Sequence, residues 1–365
     1  MRHEVPNRRH EVTGKNPIPE KIDANAGRVV AVGGGTGLSS VLRGLKKYVA
    51  PPLYIASPLR HGLSDGGQYP ISDLAAIVTV TDDGGSSGRL RREYSILPPG
   101  DIRNCLVALA DDETRLSALF QYRFPSGRGL GGHSFGNLFL TALSNVTGDF
   151  AEAVRVSGQV LAIRRRIYPA TIQNVTLEAL MHGGRVVKGE TRIAKVRGRI
   201  KRLSLIPRRV KPLPDVMHAI ENAGIILLGP GSLYTSVIPN LLVAGVAEAI
   251  ARSKAVRVYI PNLMTQPGET DDMSVADHVR AIYRHTKRPL FDCVVINRQE
   301  VSSEVAKRYR AQGAEPVVAD VNELEQLGLR CVDGNFLEEH AVVRHDSARL
   351  AKMLVGEFVV KRREK

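Results

Sequence analysis

The chain has 365 residues, 51 Lys and Arg against 37 Asp and Glu, a formal net charge of +14, and 43% hydrophobic residues. That composition supports a sizeable core and excludes disorder throughout. No run approaches the roughly 18 apolar residues of a membrane span, so a soluble, cytoplasmic protein is expected. Cys105, Cys293 and Cys331 are odd in number and far apart, which argues against a disulfide framework or a paired-thiolate zinc site.

Residues 1–27 are polar, without periodicity and without the apolar segment of a secretory signal; a disordered tail is expected there. A single domain is expected over 28–358. At Arg28, RVVAV is a short β-branched run that ends in Gly33-Gly34-Gly35-Thr36-Gly37, and LSSVLRGLKKY then places Leu38, Val41, Leu42 and Leu45 on one helical face. The pattern of strand, glycine loop and helix recurs. LAAIVTVT runs into Asp82-Asp83-Gly84-Gly85-Ser86-Ser87-Gly88, GIILL into Gly229-Pro230-Gly231-Ser232, and VRVYI into Asn262-Leu263-Met264-Thr265, while CVVIN adds another strand. Short continuous apolar strands alternating with helices predict a doubly wound α/β fold of Rossmann type, with a mostly parallel sheet covered on both faces. Ligands of such sheets bind beyond the carboxyl ends of the strands, where these loops lie.

The charge is concentrated. Between Arg155 and Lys211 there are fifteen Lys or Arg and two acids, Glu178 and Glu190, a local net of +13. VTLEALM and RVVKGE flank His182-Gly183-Gly184 as a hairpin would, and IKRLSLIP alternates, so a basic β-rich insertion is expected over about 155–211. It lacks the interleaved aromatics of a stacking platform, so nucleic acid is not the expected partner.

Each loop offers a chemistry and a plainer alternative. In GGGTG, Gly34, Gly35, Thr36 and Gly37 let backbone approach a phosphate, and the next helix aims its free N–H groups at the anion. The motif lacks the dinucleotide and Walker spacings, so a tight strand-to-helix turn is the alternative. Asp82 and Asp83, at a strand end, suit Mg²⁺ beside a diphosphate or the hydroxyls of a sugar; Ser86, Ser87 and Arg89 complete an anion-binding concavity. Asp101 reads as the N-cap of IRNCLVALA, whose Ile102, Leu106 and Leu109 form a buried stripe, and leaves Arg103 and Asn104 for ligand contact. Gly132-His133-Ser134-Phe135-Gly136 matches the nucleophile elbow of Ser hydrolases, but no strand precedes it. Ser134 reads instead as the cap of FGNLFLTAL, with Phe135, Leu138, Phe139 and Ala142 inward and His133 and Asn137 as polar contacts. Gly229, Pro230, Gly231 and Ser232 repeat the phosphate argument, with Thr235 one turn on. Asn262 and Thr265 follow the next strand, and Asp277 and His278 read as solvated helix residues.

Taken in order, GGGTGLSSVLRGLK, AIVTVTDDGGSSGRLR, PPGDIRNCLVAL, GHSFGNLFL, GPGSLYTSVIPNLLV and NLMTQPGETDDMSVADHV closely resemble the bacterial gluconeogenesis factor family. That family is one branch of the CofD-like fold, whose other branch is the phospholactate transferase of deazaflavin cofactor synthesis. The resemblance spans about Arg28 to Leu354. It implies a regulatory protein that binds UDP-N-acetylglucosamine, serves growth on gluconeogenic carbon and cell shape, acts through a regulatory protein partner, forms a homodimer and requires no cofactor, with Mg²⁺ accompanying the nucleotide. It also carries over Tyr309 in AKRYRAQGAEPV and Arg344 in VVRHDSARL as nucleotide-sugar contacts; from their own surroundings in the sequence the two read only as a helix residue and a surface charge. The alternative is a Mg²⁺-dependent transferase that moves a phospholactate-like group from a nucleotide diphosphate donor, with Asp82 and Asp83 catalytic. An inserted loop over 51–73 and a basic tail over 359–365 depart from the family pattern.

Overall fold

A computed structural model describes residues 25–49, 69–110, 115–163, 165–196 and 198–361. The expected N-terminal tail, up to residue 24, and the inserted loop, up to residue 68, lie outside the described residues.

Twelve strands are described: β1 (Arg28–Gly33), β2 (Asp73–Val78), β3 (Arg166–Pro169), β4 (Thr176–Met181), β5 (Val186–Lys188), β6 (Ile200–Ile206), β7 (Ile225–Leu228), β8 (Val256–Tyr259), β9 (Cys293–Asn297), β10 (Arg330–Gly334), β11 (Leu337–Glu339) and β12 (Val343–His345). Seven of them form one parallel sheet in the order β10-β9-β8-β7-β1-β2-β3. The five expected strands form its centre, β9-β8-β7-β1-β2. Val29 to Val32 and Leu74 to Val78 are buried because helices cover both faces. The two edges, β3 and β10, did not stand out in the sequence, being short or partly exposed.

In chain order the helices are α1 (Gly35–Leu45), α2 (Gly85–Tyr94), α3 (Gly100–Leu109), α4 (Arg115–Gln121), α5 (Phe135–Thr147), α6 (Phe150–Val160), α7 (Glu190–Lys195), α8 (Pro214–Glu221), α9 (Ile238–Leu241), α10 (Val246–Arg252), α11 (Val275–Thr286), α12 (Ser303–Arg310), α13 (Val321–Gln326) and α14 (Ser347–Val355). The α1 face is the expected one, with Leu38, Val41, Leu42 and Leu45 all buried. On α5 the face is turned: Asn137, Leu140, Thr141 and Ser144 are buried and Ala142 is exposed, because Asn137 points inward to polar partners. His278, expected in solvent, is fully buried on α11 against the Tyr259 hydroxyl at 3.2 Å, and Asp277 closes a capping box with Ser274. No single helix among the described residues is long and apolar enough to cross a membrane.

The basic segment contains an antiparallel sheet in the order β5-β4-β6, with α7 beside it. Leu177, Ala179, Val187, Leu203 and Leu205 are buried, and Lys188, Lys201 and Arg202 are exposed, as alternation requires. At the other end the fold continues past α14: Phe358 and Val359 are buried, so ordered chain reaches into the expected basic tail as far as Lys361. Apart from the main core, Met264, Leu337 and Val343 form a small apolar cluster of their own, joined by Leu263, Val301, Val305 and Tyr309.

From β1 the sheet grows one way through β2 and β3 and the other way through β7 to β10. The loops after β1 and β7 therefore diverge at a topological switch point, the place where open α/β sheets bind ligands.

Candidate functional site

A cleft of about 540 Å³ opens at that switch point. Gly34, Gly35, Thr36 and Gly37 form one side, Pro230, Gly231, Ser232 and Thr235 the other, Asn262 and Thr265 an end, and Tyr309 and Arg344 the far wall. Asp101 lines it too. Two glycines have definite reasons. Gly35 adopts φ +65°, in the left-handed region, and a Cβ on Gly37 would lie 2.6 Å from the Pro230 carbonyl oxygen. The two loops thus meet backbone to backbone.

The donors around the cleft are partly committed. Gly231 N–H donates to Asn262 Oδ1 at 3.1 Å, Asn262 Nδ2 to Gln266 Oε1 at 3.2 Å, and Gln266 Nε2 to Ser232 Oγ at 2.9 Å. Gln266 did not stand out in the sequence, yet it braces the second glycine loop from the loop after β8. On α1 no side chain of Gly34 can cap, and the Asp101 carboxylate accepts the N–H of Gly35 instead. Asp101 does not cap its own helix: α3 begins at Gly100 with no side-chain cap, and the Asp101 side chain reaches across to α1. Burial pushes its carboxyl up to about 6, with the nearby Asp82 charge adding to the rise.

One end of the cleft is acidic. Glu190, the first residue of α7, lines it and accepts from the Thr81 hydroxyl at 2.9 Å. Burial holds its carboxyl well above the usual range, and the Asp82 and Asp101 charges act the same way. The Glu269 side chain accepts from the Thr235 hydroxyl at 3.3 Å, and its other oxygen is buried without a partner among the described residues. In the sequence Glu190 shows only as one of two acids in a basic run, with no sign that it faces the cleft.

The remaining candidates stand outside this cleft. Asp82 accepts from Gly84 N–H at 2.8 Å, and Asp83 accepts from both the N–H and the hydroxyl of Thr191, at 2.8 and 2.6 Å, which anchors α7. Ser87 is buried. Gly229 belongs to the second loop without lining the cleft. Ser86, Arg103, Asn104, His133, Ser134 and Asn137 bond one another: Ser86 to His133 at 2.9 Å, Asn137 to Ser86 at 3.0 Å, Arg103 to Ser134 at 2.6 Å and to Asn104 at 2.7 Å. Arg89 donates to the Gly131 carbonyl at 2.7 Å. Ser134 caps α5, fully buried, and the His133 ring faces Ser86, so the pair forms no nucleophile and base. Among the described residues no group of three or more His, Cys, Asp or Glu is arranged to hold a metal.

Tyr309 and Arg344 meet through one bond. The Val343 N–H donates to the Tyr309 hydroxyl at 2.8 Å, which fixes the strand on which Arg344 follows. Arg344 is exposed and has no ion pair among the described residues.

Residues 29–337 match the family described as 2-phospho-L-lactate transferase CofD. The chain belongs to this family. Among its relatives, the CofD-family chain is 44% identical over 329 residues to the gluconeogenesis factor of Bacillus subtilis, covering 90% of this chain and 97% of that one. It is 41% identical over 339 residues to the gluconeogenesis factor of Listeria innocua, covering 93% and 98%. The crystal structure of a UPF0052 family member from Bacillus halodurans superposes with a TM-score of 0.81 at 42% identity, over 90% of this chain and 98% of the other. The CofD-family fold is therefore common to chains named gluconeogenesis factor.

The buried carboxyls of this CofD-family cleft give a pH signature. Burial raises Glu269 from 4.5 to about 7. A carboxyl raised on folding keeps a proton that the unfolded chain releases, so its contribution to stability declines as pH climbs through that window. Glu269→Gln is expected to stabilise the protein by on the order of 2 kcal/mol more at pH 8 than at pH 5. Urea denaturation at the two pH values checks this; equal effects at both would mean that Glu269 titrates normally.

Proposed function

We propose that the switch-point cleft binds a nucleoside-diphosphate sugar, UDP-N-acetylglucosamine first among them, and that the protein acts as a regulator serving gluconeogenic growth and cell shape. The observation that carries this reading is the apposition of two glycine loops at the switch point, with an Arg344 side chain lining the same cleft that has no ion pair among the described residues. Helix N-termini and glycine backbone suit a diphosphate, and a guanidinium adds a charge-assisted contact. The names of the similar proteins support the regulatory half. In this reading the chain needs no cofactor, works as a homodimer and reports nucleotide-sugar level to a protein partner.

A Mg²⁺ arriving with the diphosphate would meet Asp101 and Glu190 in the cleft, with Asp82 behind them; Asp83 is taken up by Thr191. Carboxyls favour oxygen-seeking cations, and Asp101 and Glu190, whose affinity for the proton is raised by burial, would release theirs to one. The same acids support a second reading, a transferase moving a phospholactate-like group from a nucleotide diphosphate. A thermal-shift panel of UDP-N-acetylglucosamine, UDP, GDP and NAD, each with and without Mg²⁺, tests the first. A ligand at a hundred times its Kd adds about 2.7 kcal/mol to stability. No shift with either uridine nucleotide would end this reading. Consumption of the nucleotide sugar on incubation with a metabolite extract, followed by mass spectrometry, would favour the transferase.

A further inference from the structure

The basic segment contains an open strand edge. In the β5-β4-β6 sheet β5 is an outer strand, and its backbone pairs with β4 on one side only. Met181 N–H donates to the Arg185 carbonyl at 2.9 Å and Gly189 N–H to the Leu177 carbonyl at 2.8 Å, and the register sets Val187 against Ala179. Antiparallel pairing alternates, so the backbone groups of Val187 turn towards β4 while the N–H and C=O groups of Val186 and Lys188 turn away from it. Among the described residues nothing bonds those outward groups. The Val186 side chain beside them is 53% exposed.

The surroundings are cationic. From Thr176 to Lys211 every described Lys and Arg side chain is exposed, while neither acid, Glu178 or Glu190, is. In this segment only Lys188 and Arg208 have an ion pair among the described residues, both with Glu178. β5 also leads straight to the cleft. Gly189 turns at φ +93°, Glu190 lines the cleft, and Asp83 holds Thr191 through two hydrogen bonds.

An open edge pairs with a strand that reaches it, and cations along it repel a second copy of the same strand while attracting an acidic one. The outward groups include both donors and acceptors. A phosphate offers acceptors alone, so a nucleic-acid backbone or a lipid headgroup would bond the N–H groups and leave the carbonyls facing its own charge. From Thr171 to Lys211 there is no Phe, Tyr or Trp, hence no stacking platform for bases and no aromatic anchor for a bilayer. An extended peptide satisfies both kinds of group. Nor does this chain supply it from residues 1–24 or 50–68, which carry no net negative charge. We propose that β5 is the docking edge for an extended acidic segment of a partner protein, which adds a fourth strand to the basic sheet beside the Glu190 end of the cleft. This deepens the partner half of the reading above and rests on it for the partner's regulatory role, while the edge stands on its own geometry.

Fluorescence anisotropy of a labelled dodecapeptide alternating Thr and Glu, titrated with the full chain in the absence of nucleotide, tests the proposal. The wild type is expected to bind this peptide and not the version with Lys in place of Glu. Val186→Pro removes an outward N–H and keeps every charge and every bond to β4, the kind of edge position at which proline is tolerated. It is expected to weaken binding about tenfold or more, since its ring also blocks the approach of a strand. Arg185→Glu combined with Lys188→Glu, both exposed side chains, is expected to do the same, whereas Arg209→Glu, beyond β6, is expected to cost about threefold at most. A wild type that binds the Glu peptide no better than the Lys peptide would overturn the proposal. So would a Val186→Pro variant that melts like the wild type and binds the Glu peptide equally well. Tighter binding of single-stranded DNA or of phosphatidylserine vesicles than of the peptide would replace the protein partner with a phosphate surface, and self-association abolished by the Arg185 and Lys188 changes would replace it with a second copy. Each of these failures leaves the nucleotide cleft standing, and a cleft that binds no nucleotide leaves the docking edge standing.

Discussion

Gly37→Ala is expected to abolish nucleotide binding and to lower the melting temperature by several degrees. Its Cβ would lie 2.6 Å from the Pro230 carbonyl oxygen, 2.8 Å from the Pro230 carbonyl carbon and 3.1 Å from the Gly231 nitrogen, all backbone atoms that no rotamer change can move. Relief requires α1 and the loop after β7 to part, which is the overpacking situation, typically about 1 to 3 kcal/mol. In a chain of this size that corresponds to a fall of roughly 2 to 4 °C per kcal/mol, or more gently. The phosphate geometry is built from the same two loops, so binding falls further than stability. Gly35→Ala is a useful contrast. Its Cβ would meet only the Ser236 hydroxyl at 3.8 Å, but φ is +65°, so a strain of about 1 kcal/mol without a clash is expected. Gly158→Ala, on α6 and not lining the cleft, is the control: a Cβ there meets nothing within 4 Å, so binding is expected to be unchanged and stability to rise by up to about 1 kcal/mol, as a helical Gly→Ala change does. Melts with and without UDP-N-acetylglucosamine check the series. Equal ligand-induced shifts in Gly37→Ala and Gly158→Ala would mean that the loops do not hold the ligand.

Arg344→Ala is expected to weaken nucleotide affinity roughly ten- to a hundredfold, since a hydrogen bond to a charged group is worth about 1.5 to 3 kcal/mol. Tyr309→Phe should act through the same residue. Removing the hydroxyl leaves the Val343 N–H without its acceptor and loosens the strand that aims Arg344. A smaller loss is expected from it alone, and almost none when Arg344 is already Ala. A double-mutant cycle measured by calorimetry reads that coupling. Additive losses would give Tyr309 a contact of its own with the ligand.

What the sequence shows depends on the range of the interaction. Ser134 as the cap of α5 was legible because the bond runs three residues along the chain, from Asn137 N–H to Ser134 Oγ at 3.3 Å. Asp101 carries the same kind of signal, a carboxylate after Pro98-Pro99-Gly100, yet its carboxylate accepts from Gly35 on another helix. Nothing local separates the two cases. The central strands were legible because burial on both faces demands unbroken apolar runs such as IILL. RIYP and RCVDG at the sheet edges are under no such demand, and they form strands only because a neighbour offers a partner. Tyr309 and Arg344 showed no chemistry of their own in the sequence, since their link spans 34 residues through a backbone N–H that no pattern encodes. His278 read as solvated because a lone His among helix residues gives no sign that Tyr259, 19 residues earlier, waits beneath it.

The wall bearing Tyr309 and Arg344 closes on Met264, Leu337 and Val343, three buried residues that are not part of the main core. The main cluster runs through the parallel sheet and its covering helices, so its loss is global unfolding. Burying a side chain of this size contributes about 1.5 to 3 kcal/mol before ordering entropy is subtracted. Three of them cannot match the whole fold. Fewer buried apolar side chains hold the wall than hold the sheet, so amide hydrogen exchange is expected to be faster at Val343, whose N–H the Tyr309 hydroxyl accepts, than along β1 and β7. A substitution at Leu337, which does not line the cleft, is then expected to reach a bound ligand through the seating of Tyr309 and Arg344, while the sheet keeps its own stability.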